Sequence, residues 1–230
     1  MSENSSTAAA NSGIGKTDLS FLSPNANIYF VGIGGISMSG LSEIATHLGY
    51  RAAGSDMHLS HRTHYLESKG IRVYEGHNAA NLIEFKPDLI VHTAAILPGN
   101  PELLYAAEHQ IPSVDRAQFL GYITAGFERV INISGTHGKT TTTSMTSLIL
   151  IESGCDPTVH LGAELDAFGG TVRMGTPHAL LVSEACEYQR SFLKFYSTTA
   201  AITNVDYDHV DCYSSLSEVI DVFASFSEKI

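Results

Sequence analysis

Two apolar runs in this chain each lead at once into glycines and then into a helical pattern, and this repetition constrains the fold more than any other feature. The first run is Asn27-Ile28-Tyr29-Phe30-Val31, followed by Gly32-Ile33-Gly34-Gly35. The second is Val130-Ile131-Asn132-Ile133-Ser134, followed by Gly135-Thr136-His137-Gly138-Lys139-Thr140-Thr141. A strand that delivers a glycine turn into a helix N-terminus is a ready anion site. Glycine lets main-chain N–H groups approach the anion, and the helix dipole adds positive potential. Each half therefore opens on its own phosphate-binding candidate.

Between and after these loops, helical periodicity covers 36–49, 63–69, 101–109, 116–124, 141–153 and 216–229. Short β-prone runs cover 50–54, 71–74, 89–91, 111–114, 159–162, 179–183 and 199–203. Strands alternating with helices predict an α/β chain whose parallel sheets carry helices on both faces. The pattern divides into a polar tail expected to be disordered over 1–25, a Rossmann-like domain over 26–125 and a P-loop α/β domain over 126–230. The boundary falls at 125–128, because the next strand begins a new phosphate loop.

In the second loop Lys139 supplies a mobile charge for the terminal phosphates of ATP, and Thr140 places a hydroxyl on Mg²⁺. The general pattern G-x-x-x-x-G-K-[ST] fails at its first glycine, where Ile133 stands, so the loop is a shortened variant. A second G-K-T at Gly15-Lys16-Thr17 follows no strand and reads as coincidence. The first loop approaches the dinucleotide fingerprint G-x-G-x-x-G, with Ser37 at the third glycine position and Asp56 where a ribose-binding acid would sit. An NAD-dependent oxidoreductase is thus a rival reading, and a purely structural turn is the plainer one.

Glu184 and Glu187 follow the apolar run 180–183, at the strand end where open α/β sheets place their chemistry. The stretch 204–211 also follows a strand and is dense in Asp and His; His209 gains interest there from its carboxylate neighbours. His58, His61 and His64 lack a cysteine or carboxylate to complete a metal site, and Cys186 reads as a passive thiol.

Composition narrows the classes. A net charge of -11 without a Lys/Arg cluster argues against a nucleic-acid groove. No run approaches the ~18 apolar residues of a membrane span, and the first 25 residues lack the charged and apolar regions of a signal peptide. Cys155, Cys186 and Cys212 have no metal spacing and cannot all pair, which favours a reducing cytoplasm.

Taken together, the segment Gly32 to Gly40, Gly54-Ser55-Asp56, Gly135 to Thr140, Glu184-Ala185-Cys186-Glu187 and Asp208-His209 resemble the Mur ligases of bacterial cell-wall synthesis. The resemblance runs in order from about Asn27 to Ile230. It implies ATP-dependent joining of L-alanine to UDP-N-acetylmuramate in peptidoglycan precursor synthesis, through an acyl phosphate. By the same resemblance, Gly135, Thr136, His137, Gly138, Lys139, Thr140 and Thr141 bind ATP. Lys139, Glu184 and His209 are the catalytic set, with Thr140, Glu184 and His209 as Mg²⁺ ligands. Gly32, Gly34, Gly35, Ser37, Asp56, His77 and Thr93 hold the UDP substrate. Members of the family carry a third domain that grips the amino acid, so the P-loop domain is expected here to be incomplete, with a sheet edge and an apolar face uncovered. The 230-residue chain is then expected to bind without turning over. A non-catalytic nucleotide-sugar-binding module is the alternative from a different class.

Overall fold

A computed structural model describes residues 19–97 and 99–230. The first unit is a five-stranded parallel sheet of β1 (Asn27–Val31), β2 (Arg51–Asp56), β3 (Arg72–Glu75), β4 (Leu89–His92) and β5 (Ser113–Asp115), in the order β3-β2-β1-β4-β5. Its helices are α1 (Ile36–His47), α2 (His61–Ser68), α3 (Ala79–Phe85), α4 (Pro101–Glu108) and α5 (Arg116–Ala125). Ile28, Tyr29, Phe30 and Val31 are fully buried, which is why this central strand reads as an unbroken apolar run. The strand order reverses between β1 and β4, and ligands of such sheets bind at that switch point.

The helix starts follow from local chemistry. Ser60 and Thr63 form a reciprocal capping box on α2, and Asp115 and Gln118 form one on α5. Asn100 accepts from the N–H groups of Glu102 and Leu103, with Pro101 at the first helical position of α4.

The second unit contains β6 (Arg129–Ser134), α6 (Lys139–Glu152), β7 (Thr158–Leu165), β8 (Gly170–Arg173), β9 (Leu180–Glu184), a 3₁₀ segment (Tyr188–Lys194), β10 (Thr199–Ile202) and α7 (Leu216–Ser227). Its sheet order is β10-β6-β9-β7-β8, parallel except for the antiparallel β7/β8 pair. The α/β class, with its Rossmann-like first sheet, is thus as the sequence reading had it. Three elements were not foreseen: α3, β8 and the 3₁₀ segment. Among the described residues β10 is an edge strand with Ile202 exposed, and Met145, Leu148 and Ile149 are exposed on α6.

Residues 19–25, read from sequence as part of the tail, form turns that bury Leu19 and Leu22 in the core, because both side chains meet apolar partners there. The rest of that tail and the second G-K-T lie outside the described residues. No described helix is long and apolar enough to cross a membrane.

The two sheets share one continuous core that includes Met38 and Leu41 of α1, Val130 of β6, Val172 of β8 and Leu181 of β9. Their seam is close. Gly40 of α1 lies where a Cβ would stand 2.8 Å from Val172, and Gly121 of α5 where a Cβ would stand 2.2 Å from the Lys194 carbonyl oxygen. His47 Nε2 meets the Gly175 carbonyl at 2.8 Å, and the Thr124 hydroxyl accepts from the Tyr196 N–H at 3.0 Å.

Candidate functional site

The β6–α6 loop is anchored on one side and open on the other. Thr136 N–H donates to Asn204 O (3.1 Å) and His137 N–H to Asn204 Oδ1 (2.9 Å), while the Thr203 hydroxyl donates to His137 O (2.7 Å). Gly135 has φ +132°, and a Cβ there would stand 2.1 Å from Thr203 Oγ1, so glycine is required. Gly138 has φ +80° and caps α6, whose first intrahelical bond in the loop runs from Thr142 N–H to Gly138 O. The N–H groups of Lys139, Thr140 and Thr141 open the helix and have no intrahelical acceptors. They are the donors an anion would meet.

Lys139 Nζ donates to Gly135 O (2.5 Å), to Thr136 O (3.0 Å) and to both carboxylate oxygens of Glu187 (3.1 and 2.9 Å). Glu187 is 1% exposed and its charge is matched by Lys139; His209 Nε2 lies 3.3 Å from the same carboxylate. The Tyr213 hydroxyl donates to Glu187 O at 2.5 Å and fixes the backbone below. His209 itself sits at φ +54° and packs edge-on against Tyr188. Sequence reasoning singled out Glu187 and Lys139 separately but not their pairing, because the two are 48 residues apart.

Thr140 and Glu184 meet directly. The Thr140 hydroxyl donates to Glu184 Oε2 (3.1 Å), and Gly162 N–H donates to Oε1 (2.8 Å). Burial pushes the Glu184 carboxyl above its ordinary range; these two donors and Lys139 oppose that rise. A hydroxyl beside a carboxylate is a hard-oxygen pair suited to Mg²⁺. Among the described residues no group of three or more His, Cys, Asp or Glu side chains is placed to hold a metal alone. A cation at Thr140 and Glu184 would therefore take its remaining ligands from phosphate or water. Burial also pushes the Cys186 thiol up, as befits an unreactive cysteine.

The first loop uses its donors differently from the simple expectation. Gly32 N–H and Ile33 N–H both donate to Ser55 O (2.8 and 3.0 Å), Gly34 N–H to Asp56 Oδ2 (2.8 Å) and Gly35 N–H to Gly32 O (3.2 Å). The glycine amides hold the loop's own shape, so an anion would meet the N-terminus of α1 at Ile36, Ser37 and Met38 instead. Asp56 accordingly acts on the loop, and Arg62 Nη1 steadies the other side by donating to Gly34 O at 3.0 Å. The Ser37 hydroxyl accepts from Arg116 Nη1 (3.1 Å) and faces His160 Nε2 (3.4 Å).

Thr93, at the end of β4, lines a cleft of about 540 Å³ between the two units, with Arg116 beside it and Tyr188, Gln189 and Lys194 opposite. Gln189 and Arg190 both adopt left-handed backbone, at φ 50° and 55°, a conformation non-glycine residues hold only under constraint. His77 lies apart from that cleft lining, bonded through Nδ1 to Ser55 Oγ (2.8 Å) and Glu102 Oε2 (3.1 Å). Glu102 and Arg116 were missed from the sequence. The only local signal for Glu102 was an acid in the first turn of a Pro-started helix, which reads equally well as a dipole partner.

Comparison with known proteins agrees across both units. Residues 27–128 match the family model described as Mur ligase family, catalytic domain, and residues 133–230 match the Mur ligase middle domain. The chain is 48% identical over 210 residues to UDP-N-acetylmuramate--L-alanine ligase of Acetivibrio thermocellus, covering 90% of this chain and 44% of that enzyme. It thus spans less than half the length of such relatives. Among solved structures, UDP-N-acetylmuramate:L-alanyl-gamma-D-glutamyl-meso-diaminopimelate ligase from Neisseria meningitides superposes with a TM-score of 0.81 at 30% identity, over 89% of this chain and 68% of that one. UDP-N-acetylmuramate-alanine ligase MurC from Thermotoga maritima gives 0.80 at 32% identity, over 89% and 47%. Both halves point to one family, which leaves the oxidoreductase reading of the first loop without support: the chain belongs to the Mur ligase family.

Proposed function

We propose that this chain forms the substrate- and nucleotide-binding part of an ATP-dependent ligase that joins L-alanine to UDP-N-acetylmuramate. The unit over 26–125 takes the UDP-sugar, and the unit over 126–230 takes ATP with Mg²⁺. The observation that carries this reading is the juxtaposition at the second loop. An open helix N-terminus and Lys139 of the β6–α6 unit meet Glu184 at the end of the neighbouring strand β9, which forms the Thr140–Glu184 oxygen pair, beside a cleft lined from both units.

The chemistry suits these groups. A carboxylate is a poor acyl donor, and ATP supplies the phosphoryl group that makes it a good one. Two anions must then be held together, which requires neutralising charge and in-line positioning. Lys139 neutralises terminal phosphate oxygens, and the amides of Thr140 and Thr141 orient them. Thr140 and Glu184 would hold the Mg²⁺, which would neutralise phosphate charge, and His209, beside Glu187, would supply a further ligand. Arg116 and Lys194 provide positive charge along the cleft for the sugar's own anionic groups. On the UDP side, the N-terminus of α1 at Ser37 meets the diphosphate, while Asp56, His77 and Thr93 surround the nucleoside. All three cysteines are free thiols, in keeping with work in the reducing cytoplasm.

The test of the nucleotide half is a titration with a fluorescent ATP analogue. Saturable binding that requires Mg²⁺, is displaced by ATP and is lost in Thr140→Ala supports the assignment. Binding indifferent to Mg²⁺ and to Thr140→Ala refutes it.

A further inference from the structure

Beneath the C-terminal rim of the first sheet lies a buried carboxylate with no role in the site so far described. Glu102 is 0% exposed, and five donors converge on its two oxygens. Oε1 accepts from the Tyr29 hydroxyl (2.7 Å), Asn81 Nδ2 (2.9 Å) and Asn78 N–H (3.4 Å). Oε2 accepts from the Ser55 hydroxyl (2.6 Å) and stands 3.1 Å from His77 Nδ1. Isolated buried carboxylates are rare because desolvation is severe, and this one is retained with every oxygen satisfied. The burial of Tyr29 beside that charge pushes its hydroxyl strongly up, which keeps it a donor.

The donor inventory settles which ring nitrogen of His77 carries hydrogen. Ser55 has one hydroxyl proton, and it is committed to Glu102 at 2.6 Å, since a carboxylate surrounded by donors only accepts. Toward His77 Nδ1, 2.8 Å away, Ser55 Oγ can then only accept. Nδ1 thus faces two acceptors, Ser55 Oγ and Glu102 Oε2, and must be the N–H. In the neutral ring Nε2 is left with its lone pair.

His77 is also placed to use that lone pair. It stands two residues past the end of β3, and the preceding Gly76 N–H donates to Asp56 O at 2.7 Å. That bond ties it to the residue whose carboxylate holds Gly34 of the first loop. The side chain keeps 10% exposure at this rim, and both of its contacts to Ser55 and Glu102 run through Nδ1.

We propose that Glu102 is a positioning residue that fixes His77 as the Nδ1–H tautomer, so that Nε2 is presented at the rim of the first glycine loop as a hydrogen-bond acceptor. The ligand group it takes is a hydroxyl or imide N–H donor of a bound nucleoside, not a phosphate oxygen. This rests on the reading of the first unit as the UDP-sugar site.

The test is a long-range ¹H–¹⁵N spectrum of the histidine rings in the ligand-free chain, recorded well above the ordinary imidazole range near ~6.5. A His77 signal with its proton on Nδ1 is the expected result. A proton on Nε2, a tautomer mixture or a doubly protonated ring overturns the proposal whether or not the UDP-sugar binds. Calorimetry with UDP-N-acetylmuramate then reads the ligand contact. His77→Phe should weaken binding about 5- to 10-fold, the worth of one hydrogen bond. Unchanged affinity overturns the contact while leaving the domain assignment intact; no binding by the folded wild-type chain overturns both. Glu102→Gln, with its fold checked by ATP-analogue binding at the second loop, should lose the single tautomer and weaken UDP-sugar binding alike. Retention of both by that folded variant assigns Glu102 a purely structural role. Should the variant not fold, the wild-type spectrum and His77→Phe still decide the matter.

Discussion

Lys139 is paired with the buried Glu187 and, in the function proposed, also meets the nucleotide, so the two roles separate on mutation. Removing one partner of a buried pair strands the other charge, at a cost of about 3 kcal/mol or more. Lys139→Ala should therefore melt below wild type as well as fail to bind ATP. The double variant Lys139→Ala, Glu187→Gln should regain most of the stability and none of the binding; thermal melts combined in a double-mutant cycle check this. Glu184 behaves in the opposite sense. Its folded-state carboxyl is raised by burial, so ionisation disfavours the native state and stability falls as pH rises from the ordinary carboxylate range through the raised value. Glu184→Gln should accordingly melt higher than wild type at neutral pH while losing Mg²⁺-dependent nucleotide binding. That advantage should shrink as acid protonates the wild-type carboxyl. At this scale the sequence disclosed what is local. Gly135, Gly138, Lys139 and Thr140 stand within six residues and declare a phosphate loop by spacing alone. Partners 44 and 48 residues away, as in Thr140–Glu184 and Lys139–Glu187, depend on which strands become neighbours, and no local pattern records that.

The elements legible in the sequence were those whose burial imposes a period or an unbroken apolar run. α1 was expected over 36–49 and found over Ile36–His47; β9 was expected over 179–183 and found over Leu180–Glu184. α3 was missed because it is 7 residues long with only Leu82 fully buried, too short for a periodic stripe. β8 opens on Gly170 after Gly169, so it reads as loop, and its pairing comes from β7 rather than from its own propensity. The 3₁₀ segment contains the left-handed Gln189 and Arg190, a conformation that tertiary contacts impose. α5 offers the clearest element-scale prediction. Asp115 Oδ1 accepts from Gln118 N–H at 2.8 Å and its other oxygen meets Lys194 Nζ at 2.5 Å, so one side chain both starts the helix and ties it to the second unit. Asp115→Ala should destabilise by about 1–2 kcal/mol, mostly through the cap, because the half-exposed ion pair contributes little. Burial acts to raise the Asp115 carboxyl, but Lys194 and the Gln118 amide outweigh it and the net shift is downward. Its contribution is then full above the ordinary carboxylate value and fades as pH falls through the lowered one. Urea melts of wild type and variant should converge in strong acid.

At the scale of the whole molecule, the seam between the units is what the sequence disclosed least, although it sets the site. Gly40 counted in the sequence only as the end of the resembling segment and Gly121 as a helix residue, yet each permits a backbone approach that a Cβ would block. His160 lies in the same seam, 3% exposed between Ser37 and Ser183, and burial, reinforced by Arg116, lowers its imidazole to about 4. A depressed histidine binds its proton more readily unfolded, so its share of stability is intact above about 6.5 and lost as pH falls toward about 4. His160→Leu should flatten that acid limb of the melting curve, whereas an unchanged limb would place the acid sensitivity elsewhere. The continuous core and close seam support the central claim that two loops on two sheets serve one reaction. Calorimetric titration of the chain with UDP-N-acetylmuramate, with NAD as the parallel ligand, tests that claim most directly. The account predicts saturable one-site binding of the UDP-sugar and no heat from NAD. Binding of NAD instead, or of neither ligand by a folded chain, would contradict it.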